Sequence, residues 1–209
     1  MISTSQRDVF LRSEGDAWYL RNSAAIDGPN ELRSRVVGII SSHLPISRNS
    51  DVLEIGCASG ANLTALAELR PIAGFGVEPS DAAVLRASEL HPELDVRSGT
   101  TDSLPFPDSS MDVVWFGFCL YLVDRSLLHR SVAEADRVLR NGGILVIHDF
   151  DAPRPVAREY HHLPGVVSYK FDVAALFLAD PAYVLASKLS FSASHVSPAN
   201  VDFPTPCSP

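Results

Sequence analysis

The chain is short of cysteine, of positive charge and of long apolar runs. Its three cysteines, Cys57, Cys119 and Cys207, are scattered and share no metal-binding spacing. They read as free thiols in a reducing compartment. Lysine and arginine number 17 against 25 aspartates and glutamates, a formal net charge of −8. That balance argues against a general nucleic-acid binder, which needs a basic surface. No apolar run is long enough to span a membrane. The N-terminus, Met-Ile-Ser-Thr-Ser-Gln-Arg-Asp, lacks the apolar core of a signal peptide. A soluble, cytoplasmic protein with no nucleic-acid or membrane partner is expected.

What is present suffices for one core. The 209 residues are 46% hydrophobic, which predicts a single domain. Asp27-Gly28-Pro29 is a helix start, and Leu32, Val36, Val37, Ile39 and Ile40 form the apolar face of a helix ending near His43. From about Asp51 to Asp151, apolar runs alternate with helical patterns, which argues for βαβ units and a parallel sheet. Strands are expected at 51–55, 72–77, 94–97, 111–116 and 144–147, with helices at 60–69, from 80, and at 126–139. Asn141-Gly142-Gly143 is expected to cap the last of these helices in a left-handed conformation. Residues 152–165 look like a loop, 166–171 like a strand, 172–179 like a helix and 183–191 like a final strand. The Pro-rich run 196–209 is expected to be a disordered tail.

The most informative stretch is Asp51-Val52-Leu53-Glu54-Ile55-Gly56-Cys57-Ala58-Ser59-Gly60-Ala61-Asn62-Leu63. It reads as strand, tight turn, helix. Small residues let backbone approach a ligand, and the helix start offers free N–H groups. A carboxylate at Glu54 suits hydroxyls or a cationic ligand head and would repel a pyrophosphate. The ordinary alternative is a tight strand–helix turn. A second acid, Glu78 in Gly76-Val77-Glu78-Pro79-Ser80, ends the next strand, where it can accept both hydroxyls of a ribose. NAD-binding folds share that feature.

The Glu54–Gly60 run resembles the first motif of the class I methyltransferases that use S-adenosylmethionine, with Ala58 in place of the middle glycine. The resemblance covers about Asp16 to Phe191. It implies a Rossmann-like, doubly wound, mostly parallel sheet of seven strands with a C-terminal antiparallel strand, and the product S-adenosylhomocysteine. Cofactor contacts are implied at Glu54, Gly56, Cys57, Ala58, Ser59, Gly60, Asn62, Glu78, Pro79 and Ser80. Gly99-Thr100-Thr101-Asp102-Ser103-Leu104-Pro105-Phe106 is similar to the family's segment before the fourth strand, where Thr101, Asp102 and Ser103 lie beside the adenine. Thr100 stands where the family often has Asp, which shifts that contact toward Asp102. Leu104 and Phe106 are expected in the core. In Gly117-Phe118-Cys119-Leu120-Tyr121 the backbone would run beside the methionine part, with Phe118 and Tyr121 flanking the sulfonium or packing in the core. Trp18-Tyr19-Leu20-Arg21-Asn22 resembles an N-terminal lid, within residues 1–28, of some small sugar-modifying methyltransferases; Tyr19, Arg21 and Asn22 would cover the cofactor. The alternative is an amphipathic helix packed on the domain.

Residues 152–195 form the expected substrate side. His148-Asp149 ends the fifth strand, where the family places substrate groups, and His148, Asp149 or His161 is a candidate base. Tyr160-His161-His162 resembles methyltransferases of surface-polysaccharide synthesis. A metal there is not expected, because adjacent histidines on a strand face opposite ways. The expected reaction moves a methyl group to a small-molecule acceptor, a hydroxyl of a sugar or sugar-like compound, in a monomer or homodimer. Two other readings stand beside it. An NAD(P)-dependent oxidoreductase would want Gly-x-Gly-x-x-Gly, but Ala58 and Ala61 hold the second and third places. A non-catalytic relative would keep the cofactor site alone.

Overall fold

The computed structural model describes residues 5–43 and 49–190. The chain opens with α1 (Gln6–Val9), a π-helical turn at Phe10–Glu14, α2 (Gly15–Asp27) and α3 (Glu31–His43). There follow β1 (Ser50–Ile55), α4 (Ala61–Leu69), β2 (Ile72–Glu78), α5 (Asp81–Leu90), β3 (Asp95–Ser98) and β4 (Met111–Gly117). A 3₁₀ turn at Leu120–Leu122 leads to α6 (Leu128–Val138), β5 (Leu139–His148), β6 (Val156–Glu159), β7 (Val167–Lys170) and α7 (Ala174–Leu178).

Five strands form a parallel sheet in the order β3-β2-β1-β4-β5. The order reverses between β1 and β4, the place where such sheets open a crevice for ligands at their carboxyl ends. Side chains alternate across the strands, so each central strand feeds two cores. Leu53, Ile55, Val114 and Phe116 pack toward α6 and α7 with Leu128, Val138 and Phe177. Val52, Val113 and Trp115 pack toward α3 and α4 with Val37, Ile40, Leu63 and Leu66. Covering on both faces is why β4 is nearly all apolar, Asp112 apart. Leu104 and Phe106 are buried in the first core, as expected.

The structure corrects four expectations. Among the described residues seven strands are present, but β6 and β7 make a separate antiparallel hairpin and do not extend the sheet. Residues 183–190 form no strand: Val184, Leu185 and Leu189 are exposed, so no pairing face is buried to fix one. Residues 152–165 contain β6, whose four exposed side chains give no alternation to read. Asn141-Gly142-Gly143 is no helix cap, because α6 ends at Val138 and β5 begins directly. The glycines form an irregularity inside β5, where the register jumps from Met111 opposite Leu139 to Val113 opposite Ile144, and Gly142 has φ +76°. The Pro-rich run 196–209, with Cys207, lies outside the described residues.

Candidate active site

The turn after β1 is built on three left-handed backbones, Gly56 (φ +77°), Ala58 (φ +48°) and Gly60 (φ +83°). Gly56 admits no side chain, since a Cβ there would lie 2.7 Å from the Cys119 Cβ. Ala58 takes a left-handed conformation that a glycine would take freely, which costs an L-residue about 1 kcal/mol. The turn is held from β2: the Gly56 N–H donates to the Val77 carbonyl at 2.8 Å. Glu78 completes the cradle. Its Oε2 accepts from the Ala58 N–H at 3.0 Å and its Oε1 from the Ser80 N–H at 3.1 Å. Burial pushes this carboxyl up to about 7.

Glu54 lies wholly buried beneath the turn. Asn62 Nδ2 donates to its Oε1 at 2.6 Å, while its Oε2 has no partner among the described residues. Burial pushes Glu54 up to about 8. Gly117 passes directly over it, so closely that a Cβ would collide with the carboxylate. Asp102, 2% exposed, accepts from Thr100 Oγ1 at 2.8 Å and from Arg7 Nη1 at 3.2 Å.

Beside them lies a cavity of about 110 Å³, lined by Gly56, Glu78, Pro79, Thr101, Asp102 and Gly117, while Glu54, Ala58 and Asn62, expected as contacts, do not line it. Phe118, Cys119 and Tyr121 close one side. Arg7, Phe10, Gly15 and Trp18 close another. The N-terminal segment thus lines the cavity, but through residues other than those expected. Tyr19 is buried against Ala58 and Ala83 and donates its hydroxyl to Asp27. Asn22 Nδ2 donates to the Trp18 carbonyl. Arg21 pairs with Glu14 and donates to the Tyr160 hydroxyl. The π turn carries one extra residue per turn, which advances the face the helix presents and brings Trp18 inward. Gly15 permits the close seat: a Cβ there would lie 3.2 Å from the Ser80 nitrogen. Asp16 locks the cover down, accepting from Ser80 Oγ at 2.7 Å and the Ala82 N–H at 3.0 Å.

Other expected contacts lie outside the cavity. Ser59 Oγ donates to Asp27 at 2.7 Å, Cys57 is buried in the second core, and Ser103 is exposed. Gly60 and Ser80 do not line the cavity but shape it, Gly60 by its turn and Ser80 by capping α5 through Ala83. His148 and Asp149 stand at the carboxyl end of β5 with Phe118. His148 Nδ1 is buried without a partner among the described residues, and burial pulls its pKa down to about 4. Asp149 accepts from the N–H groups of Leu120 at 2.8 Å and Phe150 at 2.7 Å, so its carboxylate fixes the chain after β4. His161 is exposed in the β6–β7 turn, its ring 3.7 Å from that of His162, and lines neither the cavity nor the cleft beside β5. Among the described residues no group of three or more His, Cys, Asp or Glu is placed to hold a metal ion, and no helix is long and apolar enough to cross a membrane. The sequence did not point to Arg7 and Phe10, which nothing local marks, nor to Phe150, which directly follows His148-Asp149.

Fold and site together define a Rossmann-like domain with a nucleoside-cofactor crevice at its topological switch point. Residues 53–147 match the family model described as a methyltransferase domain. A Mycolicibacterium smegmatis protein named as a probable S-adenosylmethionine-dependent methyltransferase is 36% identical over 146 residues, 69% of this chain and 49% of that protein. The 27-O-demethylrifamycin SV methyltransferase of Amycolatopsis mediterranei is 31% identical over 127 residues, 57% of this chain and 46% of its own. The chain thus spans about half the length of these curated relatives. Among solved structures, the methyltransferase bound to the Haloferax volcanii Trm112 activator superposes with a TM-score of 0.57 at 28% identity, covering 66% of this chain and 59% of its own. S-adenosylmethionine is the cofactor that the cradle fits. Its glycine-lined floor, the carboxylate ending β2 and the orphaned Glu54 oxygen suit a ribose and a cationic head group.

Proposed function

We propose that this chain is a methyltransferase that moves the methyl group of S-adenosylmethionine to a hydroxyl of a small molecule. The observation that carries the reading is Glu78, bound to the Ala58 and Ser80 N–H groups on one side and lining the cavity on the other. The cofactor supplies an electrophilic methyl on a positive sulfur. The protein positions the acceptor, excludes water and receives a proton. Glu78 accepts the ribose hydroxyls, Asp102 faces the adenine edge, and Glu54 beneath Gly117 favours the cationic end. Residues 6–27 act as the cover over a cavity of about 110 Å³, smaller than the usual range for a ligand of this size. His148 receives the acceptor's proton.

The sugar-like acceptor was suggested by the run Trp18-Tyr19-Leu20-Arg21-Asn22 and by Tyr160-His161-His162 with residues 167–171. Tyr19 and Asn22 pack the N-terminal segment and His161 is exposed, so the reading kept here is the hydroxyl of a small molecule, without the sugar. The test is calorimetric titration with S-adenosylmethionine, S-adenosylhomocysteine and NADH in parallel. Binding of the first two alone is expected. Binding of NADH alone would replace methyl transfer with hydride transfer.

A further inference from the structure

Beside the cofactor cavity an open cleft of about 2870 Å³ runs along β5, between α3 and residues 182–190. Its upper end holds Phe118, His148, Phe150 and Lys170. Among the described residues Phe118 alone lines both spaces. It is therefore the partition between them.

Its backbone is unusual. Phe118 has φ +60°, a conformation that bulky side chains avoid, and it is kept there by its N–H, which donates to the His148 carbonyl at 2.8 Å. Strain of this kind persists where surrounding structure enforces it, most often at working sites. The conformation turns the ring into an aromatic group. Its centroid lies 4.9 Å from Phe150, 5.2 Å from Tyr121 and 5.4 Å from His148, and Lys170 Nζ stands 4.0 Å from the Phe150 centroid.

We propose that Phe118, with Phe150 and His148, forms the acceptor-side wall of the transfer site and selects a flat conjugated acceptor, a phenol or enol, whose hydroxyl lies at the Phe118 boundary between the cleft and the cofactor cavity. The inference rests on the methyl-transfer reading of that cavity. The rings meet at tilted to edge-on angles, 43° to 89°, and a flat π-face is attracted to aromatic neighbours in such arrangements. Asp149, next to His148, is already engaged by backbone N–H groups. The chemistry agrees with the shape. A histidine with its pKa drawn down to about 4 is a weak base. It can take the proton of a phenolic hydroxyl, which titrates near ~10, far more readily than that of an alcohol, whose acidity is nearer water's ~16. In the step, the acceptor oxygen gains the methyl and gives its proton to the His148 ring. The carbon–sulfur pair stays with sulfur, leaving S-adenosylhomocysteine.

The experiment is calorimetric titration of the protein saturated with S-adenosylhomocysteine, using 2-naphthol and methyl glucoside as probes. We expect 2-naphthol to bind and methyl glucoside not to. Phe118→Ala and Phe150→Ala should each raise the 2-naphthol Kd at least tenfold, and Phe118→Tyr should restore binding. Phe150 lies outside the cofactor cavity, so Phe150→Ala should leave S-adenosylhomocysteine affinity within twofold. Absent 2-naphthol binding, or binding that both alanine variants leave intact, overturns the aromatic wall while the cofactor site stands. Failure of S-adenosylhomocysteine to bind the native protein overturns the underlying reading as well.

Discussion

Glu78 shows how one side chain can hold two jobs. It ties the turn after β1 to the start of α5 through two backbone N–H groups, and it presents the same carboxylate to the cavity. Glu78→Gln keeps the shape and loses the charge. Hydrogen bonds to a charged acceptor contribute about 2 kcal/mol, so the variant should bind S-adenosylhomocysteine roughly thirtyfold more weakly. A titration that returned the native affinity would remove Glu78 from the ribose contact. Some of this was legible in the sequence. Two acids at the ends of successive apolar runs, with a small-residue turn between them, carry their meaning locally. Tyr19, Ser59 and Asn62 were not legible in the same way. Each is a polar residue in a suggestive place, but Tyr19 and Ser59 serve Asp27 and Asn62 serves Glu54, partners that only the folded chain brings near.

The N-terminal segment acts through its seat. Gly15 lies against Pro79 and Ser80, and Asp16 reaches over to cap the same turn. Gly15→Val would force a Cβ toward the Phe10 carbonyl oxygen, at 2.8 Å, and the Ser80 nitrogen. The expected result is a displaced cover. Trp18 fluorescence should shift to longer wavelength, and S-adenosylhomocysteine affinity should fall about tenfold, while the sheet and its far-ultraviolet dichroism persist. An unshifted emission with native affinity would show that the cover has no hold on the site. The elements themselves differed in how clearly the chain announced them. Five strands were readable from their apolar runs, most plainly β1 and β4, whose two faces are both buried. The β6 strand was not, since Val156–Glu159 is exposed throughout. Gly142 and Gly143 misled because glycine serves a helix cap and a strand irregularity by the same backbone freedom. The facing of the cover was hidden by the π turn, whose extra residue no side-chain period reveals.

At the scale of the molecule, the protein keeps several carboxyls from water. Burial raises Glu54 from an ordinary 4.5 to about 8, Glu78 from 4.5 to about 7 and Asp149 from 3.8 to about 7. The folded state therefore binds these protons more tightly than the unfolded chain. Their stabilisation is complete below pH ~4 and is lost as pH rises through 7 to 8. His148 acts oppositely: lowered from 6.5 to about 4, it destabilises the fold as pH falls below 6.5. Three carboxyls outweigh one histidine. The ligand-free protein should lose on the order of 3 kcal/mol between pH 6 and pH 8. Denaturant midpoints measured at both values check this, and equal midpoints would contradict it.

The buried Glu54 and Glu78 also make cofactor uptake sensitive to the solvent's acidity. A sulfonium and an ammonium arriving beside protonated carboxyls draw their pKa values down, and the protons leave for the buffer. The heat of binding S-adenosylmethionine near pH 7.5 should then differ between Tris and phosphate in proportion to their ionisation enthalpies. The uncharged sulfur of S-adenosylhomocysteine should give a smaller difference. The site would thus take up its positive charge by exchanging it for hydrogen ions, and loading would tighten as the medium becomes more alkaline.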